Sequence, residues 1–98
     1  MDETNYTRSW HIDFKALRSK ESMLKKIAAA LEFPAHFGGN LDALYDCLTE
    51  LKLQKGHHYA LYLDELEHGP AGDAIHTVFA DAREWWADAG VTLAVKRD

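Results

Sequence analysis

The sequence predicts an α/β fold in which a three-stranded parallel β-sheet is packed by helices within a single domain. Short apolar segments typical of strands alternate with segments of helical periodicity, and such strands pair in parallel through right-handed crossovers. The chain has 98 residues, of which 47 % are apolar, and this size suits one domain with one core. We expect a flexible N-terminal tail over residues 1–9 and the folded domain over residues 10–98.

The first strand and the first helix follow this tail. Apolar and polar residues alternate over residues 10–14, which is the period of a strand with one buried face. Ser19 can cap a helix over residues 20–31, where apolar residues recur at helical spacing. Pro34 follows the helix and prevents it from continuing, because the residue before a proline is driven out of the helical conformation. A loop then runs to Gly39.

The second helix is predicted from its cap, Asn40, to about Thr49. Asp42 lies in its first turn, where the helix dipole favours a negative charge. Its apolar stripe is only one leucine wide, and we therefore expect this helix at the edge of the fold. The stripe consists of Leu41, Leu44, Leu48 and Leu51, with Tyr45 at its margin.

The opposite side of this helix carries the carboxylates of Asp42, Asp46 and Glu50. Residues 32–50 contain four acidic residues and no Lys or Arg, so nothing within this segment neutralises them. Like charges four residues apart destabilise a helix by a few tenths of a kcal/mol per pair. A local conflict of this kind points to function, although a negative surface also serves solubility.

The second half of the chain supplies a strand, a helix and a last strand. The apolar run over residues 58–64 follows Gly56 and predicts the second strand. Gly69 and Pro70 begin the third helix, Gly90 ends it, and residues 91–95 predict the third strand. The helix has a long apolar stripe of Ala74, Ile75, Val78, Phe79, Ala82, Trp85, Trp86 and Ala89.

Charge and composition exclude several classes of protein. The formal net charge of −5 has the wrong sign for holding nucleic acid by its phosphates and favours a basic partner. No apolar run approaches the roughly 20 residues of a membrane-spanning helix, and residues 1–10 lack the apolar core and small-residue cleavage site of a secretory signal. We therefore expect a cytoplasmic protein that binds neither nucleic acid nor a membrane.

The sequence offers no strong cofactor or metal site, and we expect none. Cys47 is the single cysteine; the neighbouring Asp46 would raise the pKa of its thiol, which disfavours a nucleophile. His57 and His58 could bind a metal only together with His68 or His76, but they are adjacent at the start of a strand and would point to opposite faces, so they cannot both reach one ion. One enzymatic alternative stays open, a small hydrolase using the strand-end carboxylates Asp64, Glu65 and Glu67.

A continuous patch of loop and helix is the best candidate for a binding site. It combines aromatic side chains, an exposed loop and unpaired carboxylates, a combination that suits a protein partner. Its members are His36, Phe37, Gly38, Gly39, Asn40, Asp42, Tyr45, Asp46, Thr49 and Glu50.

Residues 36–49, HFGGNLDALYDCLT, closely resemble the central motif of the barstar family, the intracellular inhibitors of barnase-type ribonucleases. The similarity runs from about Ile12 to Leu51 and continues more loosely through Val78 and Phe79 to the end. The resemblance implies a three-stranded parallel sheet packed by helices. It also implies that the loop and the second helix plug the nuclease active site, where acidic groups take the places of RNA phosphates.

The resemblance assigns roles residue by residue. Asp46 would meet the catalytic arginines and histidine, Asp42 would support it, and Tyr45 and Phe37 would pack at the rim. Asp81 stands where the family has a carboxylate on the last helix that also faces the nuclease. The sequence departs from the family in three places: Gly39 replaces an acidic residue, His36 a phenol and Tyr45 a tryptophan.

The function predicted from these observations is a non-enzymatic inhibitor, monomeric when free, of a basic microbial ribonuclease. A second interpretation is a barstar-like immunity or antitoxin module whose target is a different nuclease or toxin.

Overall fold

The computed structural model, which describes residues 6–98, contains three strands and three helices in that part of the chain. Their order is β1 (Arg8–Asp13), α1 (Lys20–Leu31), α2 (Leu41–Thr49), β2 (His58–Asp64), α3 (Pro70–Asp88) and β3 (Thr92–Arg97). This confirms the predicted α/β fold, and the extents of α1 and α2 agree with the sequence patterns. None of the helices within residues 6–98 is long and apolar enough to cross a membrane.

The sheet has the order β1-β2-β3, and both pairs of neighbours are parallel. In its middle row Trp10 pairs with Leu61 and Leu61 with Val95. Alternate residues face opposite sides of a strand, so Leu61 and Leu63 of β2 enter the core, where both are fully buried. Side chains of the other face include His11, whose ring stacks on that of Tyr62 at 4.3 Å.

The two edge strands extend beyond their predicted limits. β1 begins at Arg8 rather than Trp10, because Arg8 pairs with Tyr59 and Ser9 with Ala60. The end of the predicted tail thus belongs to the sheet, and residues 1–5 of that tail lie outside the described residues. β3 continues to Arg97. Backbone pairing, which does not require apolar side chains, sets these ends.

Side-chain caps fix the starts of α1 and α2 as the sequence predicts. The Ser19 hydroxyl accepts a hydrogen bond from the Ser22 amide at 3.0 Å. The Asn40 carboxamide oxygen accepts one from the Ala43 amide at 2.8 Å. Each bond satisfies one of the first four amides of a helix, which have no partner within it.

Helix α2 is docked on α3 by apolar packing and one buried hydrogen bond. Leu44 and Leu48 of α2 are fully buried in the same cluster as Phe79 and Trp86 of α3. The Trp86 indole N–H donates to the Leu48 carbonyl at 2.9 Å. The end of α2 has carbonyls without helical partners, so this bond satisfies one of them and ties the two helices together.

The start of α3 approaches the preceding loop closely. A Cβ atom on Gly72 would lie only 2.0 Å from the Glu67 carbonyl oxygen, so no larger residue fits without a backbone shift. The same carbonyl accepts a hydrogen bond from the Arg97 guanidinium, which also contacts Asp73 at 2.8 Å. These contacts join the end of β3 to the first turn of α3.

Candidate functional site

Three carboxylates from two helices line one open cavity of about 400 Å³. We call it the acidic cavity. Asp42 and Asp46 come from α2 and Asp81 from α3, and the remaining lining residues are Leu41, Tyr45 and Val78. The structure thus brings together four residues singled out from the sequence, Asp42, Tyr45, Asp46 and Asp81, although Asp81 is distant from the others in the chain.

The packing of α2 on α3 positions the three carboxylates. Asp42 and Asp46 are four residues apart and therefore lie on one side of α2. Leu44 and Leu48 are buried on its other side. This arrangement leaves all three carboxylate residues exposed to solvent.

The acidic cavity lacks a counter-charge within residues 6–98. The ion pairs of that region join His11 to Asp64, Lys25 to Glu21 and Arg97 to Asp73. None of them includes a carboxylate of the acidic cavity. No basic residue lines the acidic cavity, and helix α2 has none in its last turn. A concave surface of one charge sign attracts ions of the opposite sign.

The loop before α2 is held at both ends. The Phe37 ring packs against that of Phe33, with ring centres 5.2 Å apart, and Asn40 caps α2. Between them Gly39 adopts a positive φ of 70°, a conformation that glycine reaches without strain. Phe37, Gly38 and Gly39 line a second cavity of about 360 Å³ against α1. His36 is exposed in the middle of this loop.

Thr49 and Glu50 do not line the acidic cavity. The Thr49 hydroxyl lies 3.0 Å from the Tyr45 carbonyl oxygen and 3.1 Å from that of Asp46, and donates back into its own helix. Glu50 lines a third cavity of about 300 Å³, which Cys47 and Arg8 also line. Helix α2 ends at Thr49, so the periodicity that grouped Glu50 with the two aspartates does not extend to it.

The other candidate chemistry is not assembled. Burial first, and then the charges of Glu50 and Asp46, raise the pKa of the Cys47 thiol, so the thiol is a poor nucleophile at neutral pH. Within residues 6–98 no group of three or more His, Cys, Asp or Glu residues could hold a metal ion.

The strand-end residues make contacts within the fold, Asp64 through its carboxylate and Glu65 and Glu67 through their backbone. Asp64 lies 3.4 Å from a ring nitrogen of His11. The backbone amide of Glu65 donates to Asp98 at 2.7 Å. Glu67 uses its carbonyl oxygen to accept from Arg97.

The sequence pattern placed Trp85 in the apolar stripe of α3, and this is wrong. Trp86 occupies the buried position and is 7 % exposed, whereas Trp85 is 43 % exposed and is the one large hydrophobic residue exposed within residues 6–98. At helical spacing Trp86 follows Phe79 and Ala82 by seven and four residues, which places it on their side of the helix. Trp85 instead follows Asp81 by four residues and shares the side of the acidic cavity.

The comparison with known families agrees with this geometry. A family model described as Barstar (barnase inhibitor) matches residues 7–97, which is nearly the whole chain. No curated protein matches the chain.

Proposed function

Because the chain belongs to the barstar family, we propose that it inhibits a basic ribonuclease of the barnase type by covering the nuclease active site. The contact surface would be the acidic cavity together with the loop before α2. One observation carries the proposal: Asp42, Asp46 and Asp81 meet in one cavity, and no ion pair within residues 6–98 neutralises them.

The chemistry of the target supports this match of charges. An enzyme that cleaves RNA must bind a polyanion, and cationic side chains serve that purpose. Carboxylates held at fixed positions offer such a site the negative charge that phosphates would supply. Arginine binds carboxylate and phosphate in the same two-pronged geometry.

We assign Asp46 the principal contact, with the arginines and histidine of the nuclease site, and Asp42 and Asp81 supporting contacts beside it. A carboxylate that enters a desolvated cationic pocket is costly to delete, because the deletion leaves the partner's charges buried and unpaired. Asp46 should therefore dominate the affinity.

The remaining residues would shape and hold the contact surface. Tyr45 lines the acidic cavity and Phe37 anchors the loop on Phe33, so both can pack at the rim of the nuclease site. His36, Gly38 and Gly39 are exposed in the loop, where backbone can approach the partner closely. Asn40 and Thr49 act as positioning residues through their bonds to the α2 backbone.

The test is a titration of barnase activity with this protein and two variants. We expect stoichiometric inhibition by the unaltered protein. Asp46→Ala should weaken binding by at least about 2 kcal/mol, or about 30-fold in Kd, which is the usual threshold for a binding hot spot. The barnase–barstar pair is itself a standard example of an interface with such hot spots. Glu84→Ala removes an exposed carboxylate that lines a different cavity, beside Gly90 and Val91, and should change Kd less than Asp46→Ala does.

Two results would count against the proposal. Full nuclease activity at a large excess of the unaltered protein would reject inhibition of this class of enzyme. Equal effects of Asp46→Ala and Glu84→Ala would show that the contact surface lies elsewhere on the molecule.

A further inference from the structure

We propose that Trp85 is an anchoring contact for the nuclease, with its indole ring stacked on a cationic side chain at the rim of the nuclease active site. This inference rests on the proposed function and adds a residue to its contact surface. Trp85 combines three properties: it is exposed, it continues the surface of the acidic cavity, and its ring is held in place before binding.

The position of Trp85 follows from the way α2 and α3 meet. Asp81 lines the acidic cavity with Asp46, and further along both helices Trp86 bonds to Leu48. Trp85 lies one turn beyond Asp81 on the same side of α3. A partner that covers the acidic cavity therefore reaches Trp85 by extending one helical turn along α3.

Neighbouring side chains limit the motion of the Trp85 ring. Its centre lies 4.9 Å from that of the Trp86 ring, and the two ring planes are perpendicular, a favoured geometry for aromatic pairs. Trp86 is itself fixed by burial and by its bond to Leu48. An aromatic side chain ordered in advance loses little conformational entropy on binding.

The charges around Trp85 identify the kind of group it would meet. Asp81 and Asp88 stand four residues before Trp85 and three residues after it, on the same side of α3, and both are exposed, so an approaching surface must be cationic to be attracted. Tryptophan is the best aromatic partner for a guanidinium or ammonium group, which binds over the ring face. The chain already contains one such contact, in which the Arg8 guanidinium lies 4.6 Å from the centre of the Trp10 ring.

The experiment measures Kd and dissociation rate against catalytically inactivated barnase for three variants and a control. We expect Trp85→Ala to raise Kd at least ten-fold, chiefly through faster dissociation. Trp85→Leu should lose at least five-fold because it keeps apolar area but has no ring, whereas Trp85→Phe should lose less than Trp85→Leu. The control Glu84→Gln should leave the dissociation rate within two-fold.

The outcomes separate this inference from the proposed function. If Asp46→Ala weakens binding and Trp85→Ala stays within two-fold, the contact at Trp85 is rejected and the inhibitor role stands. If Trp85→Leu binds as tightly as the unaltered protein, stacking on a cation is rejected. If the free protein self-associates and Trp85→Ala abolishes this self-association, a second copy of the chain rather than the nuclease covers the Trp85 ring. If the unaltered protein does not bind barnase, both proposals fail.

Discussion

Replacing Asp46 with asparagine should stabilise the free protein while weakening it as an inhibitor. Asparagine and aspartate have similar helix propensities, so the substitution isolates the effect of one charge. Asp42 stands four residues before Asp46 within α2, and such a pair of like charges costs about 0.2–0.5 kcal/mol. Relief of this pair gives about 0.2–0.5 kcal/mol of added stability, to which the repulsion by Asp81 across the acidic cavity contributes further.

The assay is thermal unfolding at low salt and again in 1 M NaCl. For a domain of this size, 1 kcal/mol shifts Tm by about 4–8 °C, so we expect Asp46→Asn to raise Tm by about 1–4 °C at low salt. In 1 M NaCl the Debye length falls to about 3 Å, and the gain should largely disappear.

Asp42→Asn is the matched control for this experiment. It relieves one like-charge pair but gives up a favourable interaction of about 0.3–1 kcal/mol with the start of α2, so it should not be stabilising. A Tm of Asp46→Asn at or below that of the unaltered protein at low salt would refute the reasoning, because it would mean that a cation already neutralises the Asp46 carboxylate.

Two further predictions concern Gly72 and His76 in the first two turns of α3. Gly72→Ala should cost about 1–3 kcal/mol in urea unfolding, since its Cβ would meet the Glu67 carbonyl oxygen at 2.0 Å; unchanged stability would mean that this loop shifts freely. Burial first, then Arg97 and Arg83, lower the pKa of His76 from its ordinary 6.5, so the unfolded chain binds this proton more tightly than the folded one does. The free energy of unfolding should therefore fall as pH drops below about 6.5. Between pH 7.5 and 5, His76→Gln should lose less of this stability than the unaltered protein; equal losses would contradict the assignment to His76.

The elements of the fold were predictable where side-chain pattern alone decides them. Ser19 and Asn40 cap the two helices that they were expected to cap, because capping depends on the first few residues of a helix. The limits of β1 and β3 were harder to predict from the sequence. Arg8 and Arg97 belong to strands through backbone pairing with β2, and pairing between distant segments leaves no periodic signal in either one.

The candidate site was predictable within α2 and less so between helices. The spacing of Asp42 and Asp46 places them on one side of a helix without knowledge of the fold. The relation of Asp81 to them came only from resemblance to a family, since it depends on how α3 docks on α2. Trp85 shows the limit of periodicity, because two adjacent tryptophans both fit an apolar stripe and only packing decides which of them is buried.

The acidic cavity is shared between two helices, so it exists only while those helices are docked. Unfolding disperses its carboxylates, and the amount of competent inhibitor equals the folded fraction of the chain. A partner that binds only the folded form raises that fraction by mass action. Binding to the nuclease would then stabilise the native fold of the inhibitor. Without its target, the free inhibitor would unfold more readily than the bound one.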